Sequence, residues 1–161
     1  MGTGKSSTGK ALAEKTGLPC FDTDEMVSRQ LGLSITEIFA QLGEEQFRDA
    51  ETEALRQLSE AARPAIIVTG GGIVLRLENV KMLRQLGKVV GLKADTETLF
   101  RRISKRADRP LLQTENPREA LLELSRVRDP IYRAAADVLV DTSSLTHDGV
   151  ADTILKSIDE L

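Results

Sequence analysis

The chain has 161 residues, two-fifths of them hydrophobic, which is enough to bury one core and too few to suggest two independent domains. A net charge of −3 gives no basic surface for nucleic acid or a membrane, so neither partner is expected. One cysteine, Cys20, cannot form an internal disulfide, and a single histidine leaves little with which to build a metal centre. No apolar run reaches membrane-spanning length, and Met-Gly-Thr-Gly-Lys at the start lacks the apolar stretch of a signal peptide. The reading is a soluble cytoplasmic protein, expected to be a monomer.

Apolar runs of strand length alternate with segments of helical period along the chain. A helix is expected from Lys5 to about Lys15, ended by Gly17 in a left-handed cap. Pro19-Cys20-Phe21 reads as a strand leading into Asp22-Thr23-Asp24. Ser34-Ile35-Thr36-Glu37 has the form of a capping box, followed at helical spacing by Ile35, Ile38, Phe39 and Leu42. Gly43 is expected to bend or restart that helix, which continues through Phe47 and Leu58. Ala65-Ile66-Ile67-Val68 reads as a strand buried on both faces that opens into Thr69-Gly70-Gly71-Gly72. Val89-Val90-Gly91-Leu92 is a further strand, with Asp95 capping the helix that carries Leu99 and Ile103. Val138-Leu139-Val140 is the last strand, and Thr146 caps a final helix with Val150, Ile154 and Ile158 inward. Strand–helix alternation of this kind implies an α/β fold with a parallel sheet and right-handed crossovers.

The stretch from about Lys105 to Pro117 has no strong periodicity. Arg101, Arg102, Lys105, Arg106, Arg109 and Arg118 lie on or beside it, against Asp108 and Glu115. A connection of that length is a candidate functional loop, and a solvated helix end is the plain alternative.

Gly2-Thr3-Gly4-Lys5-Ser6 matches the second half of a phosphate-binding loop. Such a loop needs glycines so that successive backbone N–H groups can face one anion, a lysine for the outer phosphates and a hydroxyl for Mg2+. The helix beginning at Lys5 directs its positive end at the same anion. The leading glycine of the full signature would fall two positions before Met1, and so would the strand that normally precedes the loop. Losing the buried aliphatics of that strand would cost on the order of 5–10 kcal/mol. The natural chain is therefore expected to begin about ten residues upstream, with Met1 an internal methionine.

On the acceptor side, Asp22 and Asp24 follow a strand. Alternation would point both carboxylates the same way, one toward Mg2+ and one toward the hydroxyl to be phosphorylated. Helix capping by Asp24 is the alternative. Arg48 and Glu51, three apart on a helix, share a face, and a surface ion pair is the plainer account of them. Gly70-Gly71-Gly72 after a strand points to close approach of backbone and ligand. Arg109-Pro110-Leu111-Leu112 is a candidate lid segment, and Arg128 has a fork geometry suited to a carboxylate. His147 reads as a surface residue at a helix start.

In order along nearly the whole chain, the quoted motifs resemble shikimate kinase, within the nucleoside-monophosphate-kinase-like P-loop proteins. They are Gly2-Thr3-Gly4-Lys5-Ser6-Ser7, Asp22-Thr23-Asp24, Phe39 through Arg48-Asp49-Ala50-Glu51, Gly70-Gly71-Gly72, Arg109-Pro110-Leu111-Leu112 and Arg128-Asp129-Pro130-Ile131-Tyr132-Arg133. The resemblance implies ATP-dependent phosphorylation of the 3-hydroxyl of shikimate, with Mg2+. It implies a three-layer sandwich around a five-stranded parallel sheet in the order 2-3-1-4-5, whose first strand is absent here. A substrate-binding helical region would span about 24–62 and a lid about 105–117.

By the same resemblance, Lys5 contacts the outer phosphates within the nucleotide loop Gly2, Thr3, Gly4, Ser6 and Ser7. Ser6 ligates Mg2+, helped by Asp22 through water. Asp24 binds the shikimate hydroxyls and serves as base. Arg48, Arg128 and a backbone group of Gly70, Gly71 and Gly72 hold the substrate, the arginines on its carboxylate. Arg109 binds ATP phosphates and stabilises the transition state, and Arg102 lies against the adenine. Leu145 falls where many family members place a polar residue near the adenine. A related small-molecule kinase such as gluconate kinase, or a non-catalytic relative that only binds, are the competing readings.

Overall fold

The computed structural model describes residues 2–61, 63–103 and 116–160. Arg109 and its neighbours Pro110, Leu111 and Leu112, and with them most of the expected lid, lie outside the described residues. The elements run α1 (Lys5–Thr16), β1 (Cys20–Asp22), α2 (Thr23–Leu31), α3 (Ile35–Gln41), α4 (Gly43–Ala61), β2 (Ile66–Val68), the 3-10 turn η1 (Ile73–Leu75) and α5 (Leu77–Leu86). They continue with β3 (Val90–Lys93), α6 (Thr96–Ile103), α7 (Pro117–Ala135), β4 (Val138–Asp141) and α8 (His147–Asp159). Two compact units contain them: residues 9–87, and residues 1–8 with 88–161, the division falling within α1.

In the unit of residues 9–87, β1 and β2 pair in parallel, Cys20 opposite Ile66 and Asp22 opposite Val68. Gly9 of α1 packs on this pair so closely that a Cβ there would lie 2.3 Å from Val68 Cγ2. Its helices α2, α3 and α4 enclose Val27, Ile38, Phe47, Ala50 and Ala54, with Phe39 and Phe47 rings 4.8 Å apart and tilted. The capping box predicted at Ser34 is formed: Ser34 N–H donates to Glu37 and Glu37 N–H to Ser34 Oγ. As expected, Gly43 separates α3 from α4. Val27, Ile38 and Phe47 each contribute about 1.5–3 kcal/mol by burial, which holds α2 and α3, too short to be stable alone, against the longer α4.

In the other unit β3 and β4 pair in parallel, Val90 opposite Val138 and Lys93 opposite Asp141. Leu99 and Ile103 of α6 pack on Leu121 of α7. Asp95 accepts from Thr98 N–H, capping α6, and Thr146 accepts from Gly149 N–H, capping α8, both as read from sequence. Val150 and Ile154 are buried, whereas Ile158 is only partly so. α7 carries Pro130 in its interior, so no N–H is available there for the carbonyl of Arg126.

The strands among the described residues thus form two parallel pairs and not one continuous sheet. With one partner each, the strands are mostly half-buried, and the expectation of a strand at Ile66–Val68 buried on both faces is met only at Val68. The polarity at their carboxyl ends is the functional point, because β1 and β2 both deliver their chains directly into acceptor-side motifs.

Candidate active site

The nucleotide motif is built in the unit that includes residues 1–8. Gly2 and Gly4 have φ of +74° and +86°, the left-handed region in which a side chain is strained, so the loop requires glycine at both. A Cβ on Gly2 would also lie 2.9 Å from Ile103 Cγ1, and one on Gly4 would lie 3.2 Å from the ring of His147. α1 begins immediately at Lys5, with Thr8 N–H donating to Gly4 O, so its first N–H groups and positive end serve the loop. Ser6 is exposed at the helix start and Thr3 is buried.

Arg102 donates to Gly2 O at 3.4 Å, to Thr142 Oγ1 at 3.0 Å and to Thr142 O at 2.8 Å. Its charged edge therefore ties Gly2 to the segment after β4. Ser143 ties that segment further, accepting from Asp95 N–H and donating to Asp141, whose pKa those Ser143 hydrogen bonds hold below the usual aspartate value. His147 is exposed, as read from sequence, yet it stands against Gly4, a proximity that only the fold reveals.

The acceptor motifs converge within residues 9–87. Asp22 and Asp24 do not share a strand face: β1 ends at Asp22 and α2 begins at Thr23, so alternation stops between them. Asp22, not Asp24, caps α2, its Oδ1 accepting from Asp24 N–H at 3.0 Å. Asp24 thereby enters the first turn of a helix, where the dipole favours an anion. Cys20, two residues before Asp22, has its thiol pKa pushed up by burial and by the charges of Asp22 and Glu25, Lys10 opposing.

Gly70 packs against two carboxylates at once. A Cβ there would lie 2.6 Å from Glu51 Oε1 and 2.7 Å from Asp24 Oδ1. Gly72 packs against the guanidinium of Arg48, where a Cβ would lie 2.3–2.4 Å from Nη1, Cζ and Nη2. The ion pair predicted from the Arg48/Glu51 spacing is present, but it is buried and not on the surface: Nη1 donates to Glu51 Oε2 at 2.5 Å, with side-chain exposures of 9 % and 0 %. Burial acts to lower the pKa of Arg48, but the charge and hydrogen bond of Glu51, with those of Glu44, outweigh it and raise it above the ordinary arginine value. The guanidinium is permanently charged.

Three further residues hold this arrangement, and sequence reasoning passed over them. Thr23, fully buried, accepts from Gly70 N–H at 3.4 Å. Asn79, fully buried in α5, donates to Ile73 O at 3.1 Å and so fixes the turn after the glycines. Arg76 donates to Asp49 Oδ1 at 2.6 Å, joining that turn to α4 one residue beyond Arg48. Partners 27 and 47 residues apart leave no periodic signal in a sequence.

Gly72→Ala is expected to fold, since the clash is with the far end of one side chain and not with backbone, but to displace the Arg48 guanidinium. Steady-state kinetics should show the KM for the acceptor raised about tenfold or more with the KM for ATP little changed. An unaltered acceptor KM would separate Arg48 from the acceptor.

Arg128 belongs to the other unit, on α7, and is 7 % exposed. Among the described residues no carboxylate forms an ion pair with it.

Comparison with known proteins identifies the family. The shikimate kinase family model matches residues 1–159. Shikimate kinase from Thermodesulfovibrio yellowstonii is 43 % identical over 161 residues, covering 100 % of this chain and 92 % of the relative. That from Moorella thermoacetica is 44 % identical over 158 residues, covering 98 % of this chain and 90 % of the relative. Among solved structures, shikimate kinase from Acinetobacter baumannii in complex with shikimate superposes with a TM-score of 0.94 at 36 % identity, covering 99 % of this chain and 89 % of that one. Shikimate kinase from Aquifex aeolicus gives 0.83 at 32 % identity, covering 99 % and 92 %. The glycine turn that gathers Asp24, Arg48 and Glu51, together with the half phosphate loop, is thus part of a whole-chain match, and the chain belongs to the shikimate kinase family.

Proposed function

We propose that the chain transfers the terminal phosphoryl group of ATP to the 3-hydroxyl of shikimate. The observation that carries the reading is the Gly70–Gly72 turn, which sets a candidate base, Asp24, and a buried anion-binding group, Arg48, against adjacent backbone. A base and a carboxylate clamp held on one rigid turn can fix a small acid so that one hydroxyl is presented for reaction.

On this reading Asp24 orients the attacking hydroxyl and takes its proton, while Arg48 and Arg128 bind the acceptor carboxylate. Lys5 and the N–H groups of Gly2–Ser7 neutralise charge building on the phosphoryl oxygens, the main protein contribution to such a transfer. Arg109, outside the described residues, is assigned to the phosphates by the family pattern alone. Arg102 braces the loop and offers its planar face to the adenine.

Mg2+ fits the hard oxygen donors present, the Ser6 hydroxyl directly and Asp22 through water, and a nucleotide-borne Mg2+ needs only one or two protein oxygens. When bound it would offset charge on the phosphates. Among the described residues there is no cluster of three or more His, Cys, Asp or Glu of the kind a fully protein-held ion uses. The reading includes a cytoplasmic monomer, and the net charge of −3 supports it against nucleic-acid partners. No helix among the described residues is long and apolar enough to cross a membrane.

A coupled ADP-release assay with shikimate, with gluconate and without acceptor tests the proposal. Turnover should require shikimate. Equal turnover with gluconate would point to a broader kinase, and none with any acceptor would leave a binding protein.

A further inference from the structure

Arg48 is already engaged on two sides before any ligand arrives. Its Nε and Nη2 donate to Glu44 Oε1 at 3.2 and 2.7 Å, its Nη1 donates to Glu51 Oε2, and Gly72 covers a face. A guanidinium that is to grip a ligand carboxylate by two parallel bonds needs one of those edges back. The two partners differ in what their release would cost. Glu51 has no exposed side-chain surface, whereas Glu44 is 49 % exposed. Glu44 also stands in the first turn of α4, so its carboxylate, once released into water, stays near the positive end of the helix.

We propose that Glu44 is a specificity-determining placeholder: it occupies the Arg48 edge that the acceptor carboxylate takes, and binding exchanges one carboxylate for the other. The inference rests on the reading of Arg48 as the group that binds the acceptor carboxylate. Its consequence is selection by charge. A neutral polyol meets an arginine whose edges are already paired and cannot displace a carboxylate, while an acid replaces Glu44 without leaving the buried cation uncompensated at any stage. The device costs affinity for the true acceptor and excludes uncharged look-alikes.

The test is calorimetric titration of shikimate and of its methyl ester into the wild-type chain, Glu44→Ala, Glu44→Gln and Arg48→Lys. Removing the competitor should tighten shikimate binding about two- to tenfold, the range spanned by a partly exposed charged hydrogen-bonded pair. Glu44→Gln, which retains an acceptor without the charge, should fall between wild type and Glu44→Ala. Binding of the ester should be unmoved in both, because it carries no anion to take the vacated edge. A purely supporting role for Glu44 predicts the opposite sign, weaker binding of acid and ester alike. If Glu44→Ala leaves shikimate binding unchanged or weakens it while Arg48→Lys costs about tenfold or more, the placeholder is wrong and the role of Arg48 stands. If Arg48→Lys leaves shikimate binding unchanged, both fall.

Discussion

If Asp24 is the base proposed above, replacing it by Asn is expected to lower kcat about 100- to 10,000-fold, the range general-base catalysis supplies, with the KM for ATP within about twofold of wild type. The substitution is nearly isosteric, and Asp22, not Asp24, caps α2, so the helix start survives it. What is lost is an oxygen able to take the hydroxyl proton. The carboxylate of Asp24 sits against Gly70, where a Cβ would lie 2.7 Å from Oδ1. Single-turnover measurement separates chemistry from product release, and a near-normal chemical step would remove Asp24 as the base. An unchanged thermal melt of the variant would show that the loss is chemical.

Glu51→Ala is expected to cost about 3 kcal/mol of stability, the lower end for breaking a buried ion pair, because Arg48 keeps Glu44 as a second partner. A domain with a total stability of about 5–15 kcal/mol feels that as a large shift of the urea midpoint at constant slope. Glu44→Ala, which removes the exposed member of the same trio, should cost less than about 1 kcal/mol of stability. Equal effects of the two would contradict the burial asymmetry on which the site is built. The acceptor KM of Glu51→Ala should rise as well, since Nη1 of Arg48 loses the group that aims it.

Much of the local structure was legible without coordinates because its causes are local. The capping box at Ser34, the caps at Asp95 and Thr146, the stop at Gly17 and the restart at Gly43 all involve residues within one helical turn. The Arg48/Glu51 pair was equally readable from its spacing. Its burial was not, because nothing in a three-residue interval says whether the shared face meets solvent or a glycine turn more than twenty residues later. The Asp22/Asp24 reading failed for a related reason: a strand of three residues is too short for alternation to outlast it, and the helix cap took over at once.

By itself the sequence determined the alternation of elements, the half phosphate loop and the ordered motifs that belong to shikimate kinase, since these depend on residue type and spacing along the chain. Only the tertiary structure decided that Gly70 lies on Asp24 and Glu51, that Gly72 lies on Arg48, and that Arg48 is buried while still paired with the half-exposed Glu44. The physical reason is that the absence of a side chain is written in the sequence, but which neighbour occupies the vacated space is set by packing between distant elements.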